Sequence, residues 1–217
     1  MVCRRVIICY KDDNYCENYK LYAVNPLSEG TFKMDGNPLF EQVLDAQNIS
    51  IQMQIQHWLK YELFTPQFWL LIGMLIIPWV IWWALVDKRR FLEIIIYGLL
   101  ISTVVTVLDE VGCQLNWWDY RYDIEPLFPR LIPMNFTMLP VAYMLIYQYF
   151  TKWKPFVMAN IAAAALMTFV GEPVFAMTGI YVLLEWKSIY SFPIYIILAL
   201  IMKLALNSII GVQRRVI

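Results

Sequence analysis

The sequence predicts an all-α polytopic membrane helix bundle of five transmembrane helices, and three observations carry that expectation. Of 217 residues, 60% are hydrophobic and only 16% are charged, which is too apolar for a single water-soluble core. Apolar runs recur at the roughly 20-residue length that crosses about 30 Å of hydrocarbon at 1.5 Å per residue. Those runs are continuous rather than alternating, and five of them cannot close a barrel, so strands are excluded. The 17 basic and 17 acidic residues balance, so no bulk field recruits nucleic acid. The partner this composition calls for is the lipid bilayer, read here as the cell membrane.

The five spans are expected at 68–86, 91–108, 131–150, 156–180 and 192–211, with Glu172 and Lys203 interrupting the last two. Together they make a transmembrane bundle over 67–213. Residues 34–66 read as an extracytoplasmic tail. Within it "SIQMQIQHWLKYELF" sets Ile51, Ile55, Trp58 and Leu59 on one helical face, the pattern of an interfacial amphipathic helix. Residues 1–33 carry five basic residues and the cysteines Cys3, Cys9 and Cys16, with no apolar run long enough for a signal sequence. "SEGTFKM" can encode a purine-rich ribosome-binding element, so the expected start is Met34, and residues 1–33 are a doubtful extension. Cys113 is then the one cysteine left, and no intramolecular disulfide can form.

Orientation follows from the short loops. Lys88, Arg89 and Arg90 join the first two spans, Lys152 and Lys154 join the third and fourth, and Arg214 with Arg215 follow the fifth. The opposite side holds Lys60, Arg121, Arg130 and Lys187 among acids and aromatics. Seven basic residues against four place the N-terminus outside and the C-terminus inside.

Candidate site residues collect at the outer end. Asp109 lies about 27 Å along its helix from Phe91 and Glu172 about 24 Å along its own from Phe156, so the two acids share a level. Asn135 enters the third span just after Pro133, at matching depth. A carboxylate at this depth costs a few kcal/mol unless it faces protein or water, so Glu172 weighs most. Of the neighbours Asp109 and Glu110, which point about 100° apart, Asp109 is favoured as the inward one because Thr103 and Thr106 precede it as a polar stripe. Trp117, Trp118 and Trp186 lie in the loops above, where aromatics also enrich at any membrane interface. At the cytoplasmic end Lys203 is expected to snorkel or to pair with Glu93. The single histidine, His57, makes no metal site or triad.

The two hairpins look like copies. "KRRFLEIII" and "KWKPFVMAN" each open a helix after a basic turn, each helix carries an acid near its far end, tryptophan follows in the loop, and "IP" or "FP" opens the return helix. This suggests a parallel duplication of a two-helix unit, of the kind that places transporter sites between copies.

"HWLKYELFTPQFWLL", "PWVIWWALVDKRR" and "NWWDYRYDIEPLFPRLIPMNFTMLPV" resemble a family of small multi-pass membrane proteins of spore-forming Gram-positive bacteria, from Met34 to the end of the chain. That resemblance implies no activity. A fainter similarity is to the lycopene cyclase domain, in which a helix ending in acid and tryptophan leads to a proline followed by a pair of carboxylates. Here Pro133 is followed by Met134 and Asn135, which removes the acid such a cyclase would use. The expected function is binding or transport of a cation, cationic amphiphile or lipid headgroup in an acidic and aromatic outward pocket. A structural or assembly subunit ranks second. An intramembrane enzyme on an isoprenoid or lipid, with Asp109 and Glu172 as acid and base, ranks third. No Walker loop, zinc spacing or nucleophile elbow is present, no cofactor is expected, and assembly into an oligomer is compatible with the sequence.

Overall fold

The computed structural model describes residues 38–127 and 129–216. The chain divides into two units, Met1–Gln42 and Val43–Ile217. Of the first, only residues 38–42 are described, as the start of a helix. The expectations for residues 1–33 and for a start at Met34 lie outside the described residues.

Helix α1 (Pro38–His57) buries none of its residues and runs into a π turn, Trp58–Glu62. Ile51 and Leu59, two of the four residues placed on its apolar face by sequence, are exposed. Helix α2 (Pro66–Leu85) starts where Thr65 caps the Phe68 N–H at 3.2 Å and Pro66 occupies the first turn, where its missing N–H costs nothing. Helix α3 (Phe91–Gln114) is the centre of the bundle. Its buried positions Ile94, Tyr97, Gly98, Ile101, Ser102 and Val105 recur at three- and four-residue steps and face α4 (Leu139–Tyr149) and α7 (Ser191–Val216). Helix α5 (Trp153–Leu166) continues through a π turn, Met167–Gly171, into α6 (Glu172–Met177).

Four of these stretches are long and apolar enough to cross a membrane: Pro66–Leu85, Lys88–Gln114, Trp153–Met177 and Ser188–Val212. Their outward faces carry Trp69, Ile77, Val80, Leu99, Val107, Phe169, Ile197 and Ile201, all exposed. An apolar surface that extensive belongs against lipid. The stretch expected as the third span, 131–150, is helical over 132–149, with a π turn at Met134–Met138 leading into α4, and is not one of these four. Leu131 sits at φ 42° and Pro133 opens the helix, so the backbone before it is irregular. Such backbone is tolerable at depth only where protein surrounds it, and Leu131, Pro133 and Asn135 are indeed buried.

Two contacts hold the centre. Tyr97 and Tyr147 stack with ring centroids 4.4 Å apart, and the Tyr97 hydroxyl donates to the Ala199 carbonyl of α7 at 3.1 Å. Gly98 lies under the Met144 side chain, and a Cβ at that position would meet Met144 Cγ at 2.8 Å, so glycine sets the α3–α4 approach. The two helical hairpins meet again outside the bundle, where β1 (Trp118–Tyr120) pairs antiparallel with β2 (Tyr181–Leu183). Gly98→Val should therefore lower the thermal stability of the detergent-solubilised protein by about 1–3 kcal/mol through overpacking. An unchanged melting temperature would mean that α3 and α4 do not meet at this seam.

Candidate functional site

The polar residues of the bundle converge at the end that carries the β1–β2 ladder, around a cavity of about 170 Å³. Its volume is comparable with the roughly 150 Å³ cavities that admit a benzene-sized guest. Asp109, Asn135 and Glu172 line it together with Trp117, Trp118 and Trp186, and Val105, Leu139, Met167 and Leu198 form its floor. Among its lining residues there is no lysine or arginine.

Asp109 comes from the last turns of α3 and is fully engaged. Its Oδ1 accepts from Trp118 Nε1 at 2.9 Å and from the Tyr120 hydroxyl at 2.7 Å, and its Oδ2 accepts from Asn135 Nδ2 at 2.7 Å. Asn135 Nδ2 also donates to the Arg130 carbonyl at 3.0 Å, which ties the loop before α4 into the same group. Burial, and then the Asp109 charge beside it, holds the Tyr120 phenol well above its usual pKa, so it stays a donor. The polar stripe leading to Asp109 is not the Thr103–Thr106 line expected from sequence. Thr106 and Ser102 are buried on it, with Ser102 Oγ donating to the Asn135 carbonyl at 3.0 Å, whereas Thr103 is exposed and turns back onto the Leu99 carbonyl. Glu110 is also corrected. One residue on from Asp109, it is not among the lining residues; its Oε1 accepts from Gln114 Nε2 at 2.9 Å and its Oε2 is buried without a hydrogen-bond partner.

Glu172 is the first residue after the π turn Met167–Gly171, and Pro173 follows it. Such turns re-aim the residues around them by one position. The Tyr195 hydroxyl donates to Glu172 Oε1 at 3.2 Å, and the Ser191 and Ser188 hydroxyls stabilise the carboxylate by hydrogen bonding as well. Oε2 is buried with no hydrogen-bond partner.

Asp109 and Glu172 are equivalent positions of a repeat. A shift of 63 residues takes Asp109 to Glu172, Asn116 to Gly179, and Trp118–Tyr120 to Tyr181–Leu183. Asn116 (φ 55°) and Gly179 (φ 75°) both adopt the left-handed turn that starts each strand. The ladder pairs Trp118 with Leu183, Asp119 with Val182 and Tyr120 with Tyr181, and this register maps onto itself under the same shift. A local two-fold axis thus passes between Asp119 and Val182.

The three tryptophans form one roof. Trp117 stacks on Trp186 with centroids 5.0 Å apart, Trp118 meets Trp186 edge-on at 5.1 Å, and Trp186 Nε1 donates to Ser191 Oγ at 3.0 Å. Gly112 makes room for this arrangement, because a Cβ there would overlap the Trp118 ring.

Lys203 and Glu93, expected to pair, lie at the other end and are linked through Tyr147. Lys203 Nζ donates to the Thr151 and Phe150 carbonyls at 3.0 and 3.3 Å and lies 3.8 Å from the Phe156 ring centroid and 5.5 Å from that of Tyr147. Tyr147 donates to Glu93 Oε1 at 2.5 Å, and Glu93 is bridged to Arg90 at 2.9 Å. A buried ammonium on helix-terminal carbonyls and ring faces is held structurally.

Sequence reasoning did not single out a second cluster beyond the first. His57, Glu62, Asp119, Asp123 and Arg130 line a separate polar cavity of about 290 Å³, and Tyr120 lies in the walls of both. Asp123 is its hub. Its N–H donates to Glu62 Oε2 at 2.8 Å, its carbonyl accepts from Trp58 Nε1 at 3.1 Å, and its Oδ1 accepts from the Leu131 N–H at 2.9 Å. His57 Nδ1 lies 2.7 Å from Glu62 Oε1, and Arg130 pairs with Asp119. Only composition hinted at this group, since its members are scattered over some seventy positions of loop and helix end. No protein-family model, curated protein or solved structure matches the chain.

Burial, reinforced by the Glu62 and Asp109 charges and opposed by the Leu131 N–H and Arg130, raises the Asp123 carboxyl to about 7. The folded value lies above the unfolded one near 4. Asp123 therefore contributes stability that is complete below pH 4 and is lost as pH rises toward 7. Asp123→Asn, which keeps an acceptor for Leu131, should melt higher than the parent at pH 8 and show a flatter pH dependence between 4 and 7; parallel curves would refute the assignment. Gly112→Ala should displace Trp118 from Asp109 and shift the tryptophan emission to the red, as indole reaches water.

Proposed function

We propose that the protein is a multi-pass protein of the cytoplasmic membrane, with the N-terminus outside and the C-terminus inside. In this reading the 134–149 segment is a fifth, protein-surrounded crossing, and the cavity opens at the outer face to bind a ligand through its positive charge. The observation that carries this reading is the inequality of two equivalent acids. Asp109 receives three donors, while Glu172 Oε2 is buried and unpartnered. Two carboxylates in an apolar chamber without a basic lining residue leave a charge deficit that a cation would neutralise. The tryptophan roof adds ring faces, which attract cations by their quadrupoles. Asp109 is the fixed wall of such a site and Glu172 its charge-pairing group, with Asn135 holding Asp109 in place.

Glu172→Gln should leave the melting temperature of the unliganded protein unchanged or raise it, while abolishing stabilisation by alkyltrimethylammonium ions. Asp109→Asn should cost about 1–3 kcal/mol, since the amide nitrogen that replaces one oxygen would face a donor, either Asn135 Nδ2 or the Trp118 and Tyr120 pair, instead of accepting from it. If Glu172→Gln by itself lowers stability and no cation stabilises the parent, the acids only pack the bundle, and the assembly-subunit reading replaces this one. Orientation is tested separately in a background with the native cysteines changed to serine. Lys187→Cys should react with a membrane-impermeant thiol reagent on intact cells and Arg89→Cys should not. Cys113 is a poor reporter because it is buried.

A further inference from the structure

We infer that the ligand of this cavity is a single-chain amphiphile whose cationic head carries no phosphate, and that it enters sideways from the bilayer between the ends of α3 and α7. The inference rests on the cation-binding reading of Glu172 and specifies what the cation is attached to and by which route it arrives.

The roof argues against entry from above. Trp117, Trp118 and Trp186 are packed ring on ring, the strand beneath them is paired residue for residue, and Trp118 and Tyr120 are both tied to Asp109. The side wall is different. Of the residues lining the cavity, Leu108 and Val111 of α3 and Ile194 of α7 are the exposed ones, at 44%, 46% and 38%. All three lie inside stretches long and apolar enough to cross a membrane. This stretch of the wall therefore faces acyl chains, and an alkyl chain passing between Val111 and Ile194 would lie on apolar side chains along its path.

Head chemistry follows from the rest of the lining. Glu172 Oε2 offers an unpaired acceptor, the indoles offer ring faces, and no lysine or arginine is present. An ammonium or alkylated ammonium head is matched on both counts. A phosphodiester placed here would be desolvated beside two carboxylates with no cation to receive it, which excludes ordinary phospholipid headgroups from the chamber.

The test uses the full chain in dodecyl maltoside, followed by tryptophan fluorescence and thermal melting. Four probes are compared below their micellar concentrations: dodecyltrimethylammonium, tetramethylammonium, dodecylphosphocholine and dodecyl sulfate. Dodecyltrimethylammonium should quench and stabilise, with an affinity roughly tenfold or more above that of tetramethylammonium because the chain methylenes are also buried. Dodecylphosphocholine and dodecyl sulfate should do neither. Val111→Trp and Ile194→Trp, on opposite sides of that path, should each weaken dodecyltrimethylammonium about tenfold or more while leaving tetramethylammonium unchanged; two variants guard against one that misfolds. If both cations bind alike and both depend on Glu172, cation binding stands, and sideways entry of an amphiphile is overturned. If dodecylphosphocholine competes equally, the exclusion of phosphate is wrong and the proposal falls. If no cation binds, it falls together with the function it rests on.

Discussion

The carboxylate of Asp109 is the group on which the rest of this end of the bundle depends. In low dielectric an ionised carboxylate is costly unless its lone pairs are used, and here Trp118, Tyr120 and Asn135 use them. The donors come from a different part of the chain than the acceptor. Two belong to β1 and the third to the π turn that opens the 134–149 segment. A single acid therefore fixes the height of the roof, the register at which β1 meets β2, and the point at which irregular backbone gives way to helix. Gly112, three residues further along α3, is subordinate to it, because it clears the space through which the Trp118 ring reaches the acid.

Asp109 and Glu172 occupy matching positions at the ends of the two hairpins, yet their surroundings differ. The 63-residue shift preserves the carboxylates, the left-handed turns and the strand register. What it does not preserve is the donor set. Trp118 and Tyr120 correspond to Tyr181 and Leu183, and neither bonds to Glu172 as Trp118 and Tyr120 bond to Asp109. Glu172 receives a 3.2 Å bond from Tyr195 of α7 instead, and one oxygen stays unpaired.

Much of this was legible in the chain because the relevant signals are one-dimensional. Helix rise places Asp109, Asn135 and Glu172 at one level, and the structure brings all three to one cavity with the three tryptophans. Rotation about a helix is harder to read than height along it. The polar line on α3 was assigned to Thr103 when it runs through Ser102, because threonine side chains can satisfy themselves on their own helix and still face lipid. The irregular backbone just ahead of the 134–149 segment is not legible, since a hydropathy run does not register that Leu131 takes a left-handed conformation. The Glu62–Asp123 cluster was not read at all: its members are far apart in sequence, and their proximity is a property of the tertiary fold.

The distribution of anchoring also decides which wall of the cavity yields. Lifting the roof means breaking the two hydrogen bonds from Trp118 and Tyr120 to Asp109 and uncoupling the Asp123 loop from Glu62, Trp58 and Leu131. Even at the low end for bonds to ions, the first pair alone is worth about 3 kcal/mol, which leaves the open roof populated in roughly one molecule in a couple of hundred. The α3–α7 wall contains no comparable lock: Leu108, Val111 and Ile194 are aliphatic, exposed and held by no hydrogen bond of their own side chains. Rotamer changes of such side chains occur in picoseconds to nanoseconds and cost little. The architecture thus spends its polar contacts on holding the acid and the roof in place, and leaves the α3–α7 side of the chamber to exposed aliphatic side chains of stretches long and apolar enough to cross a membrane.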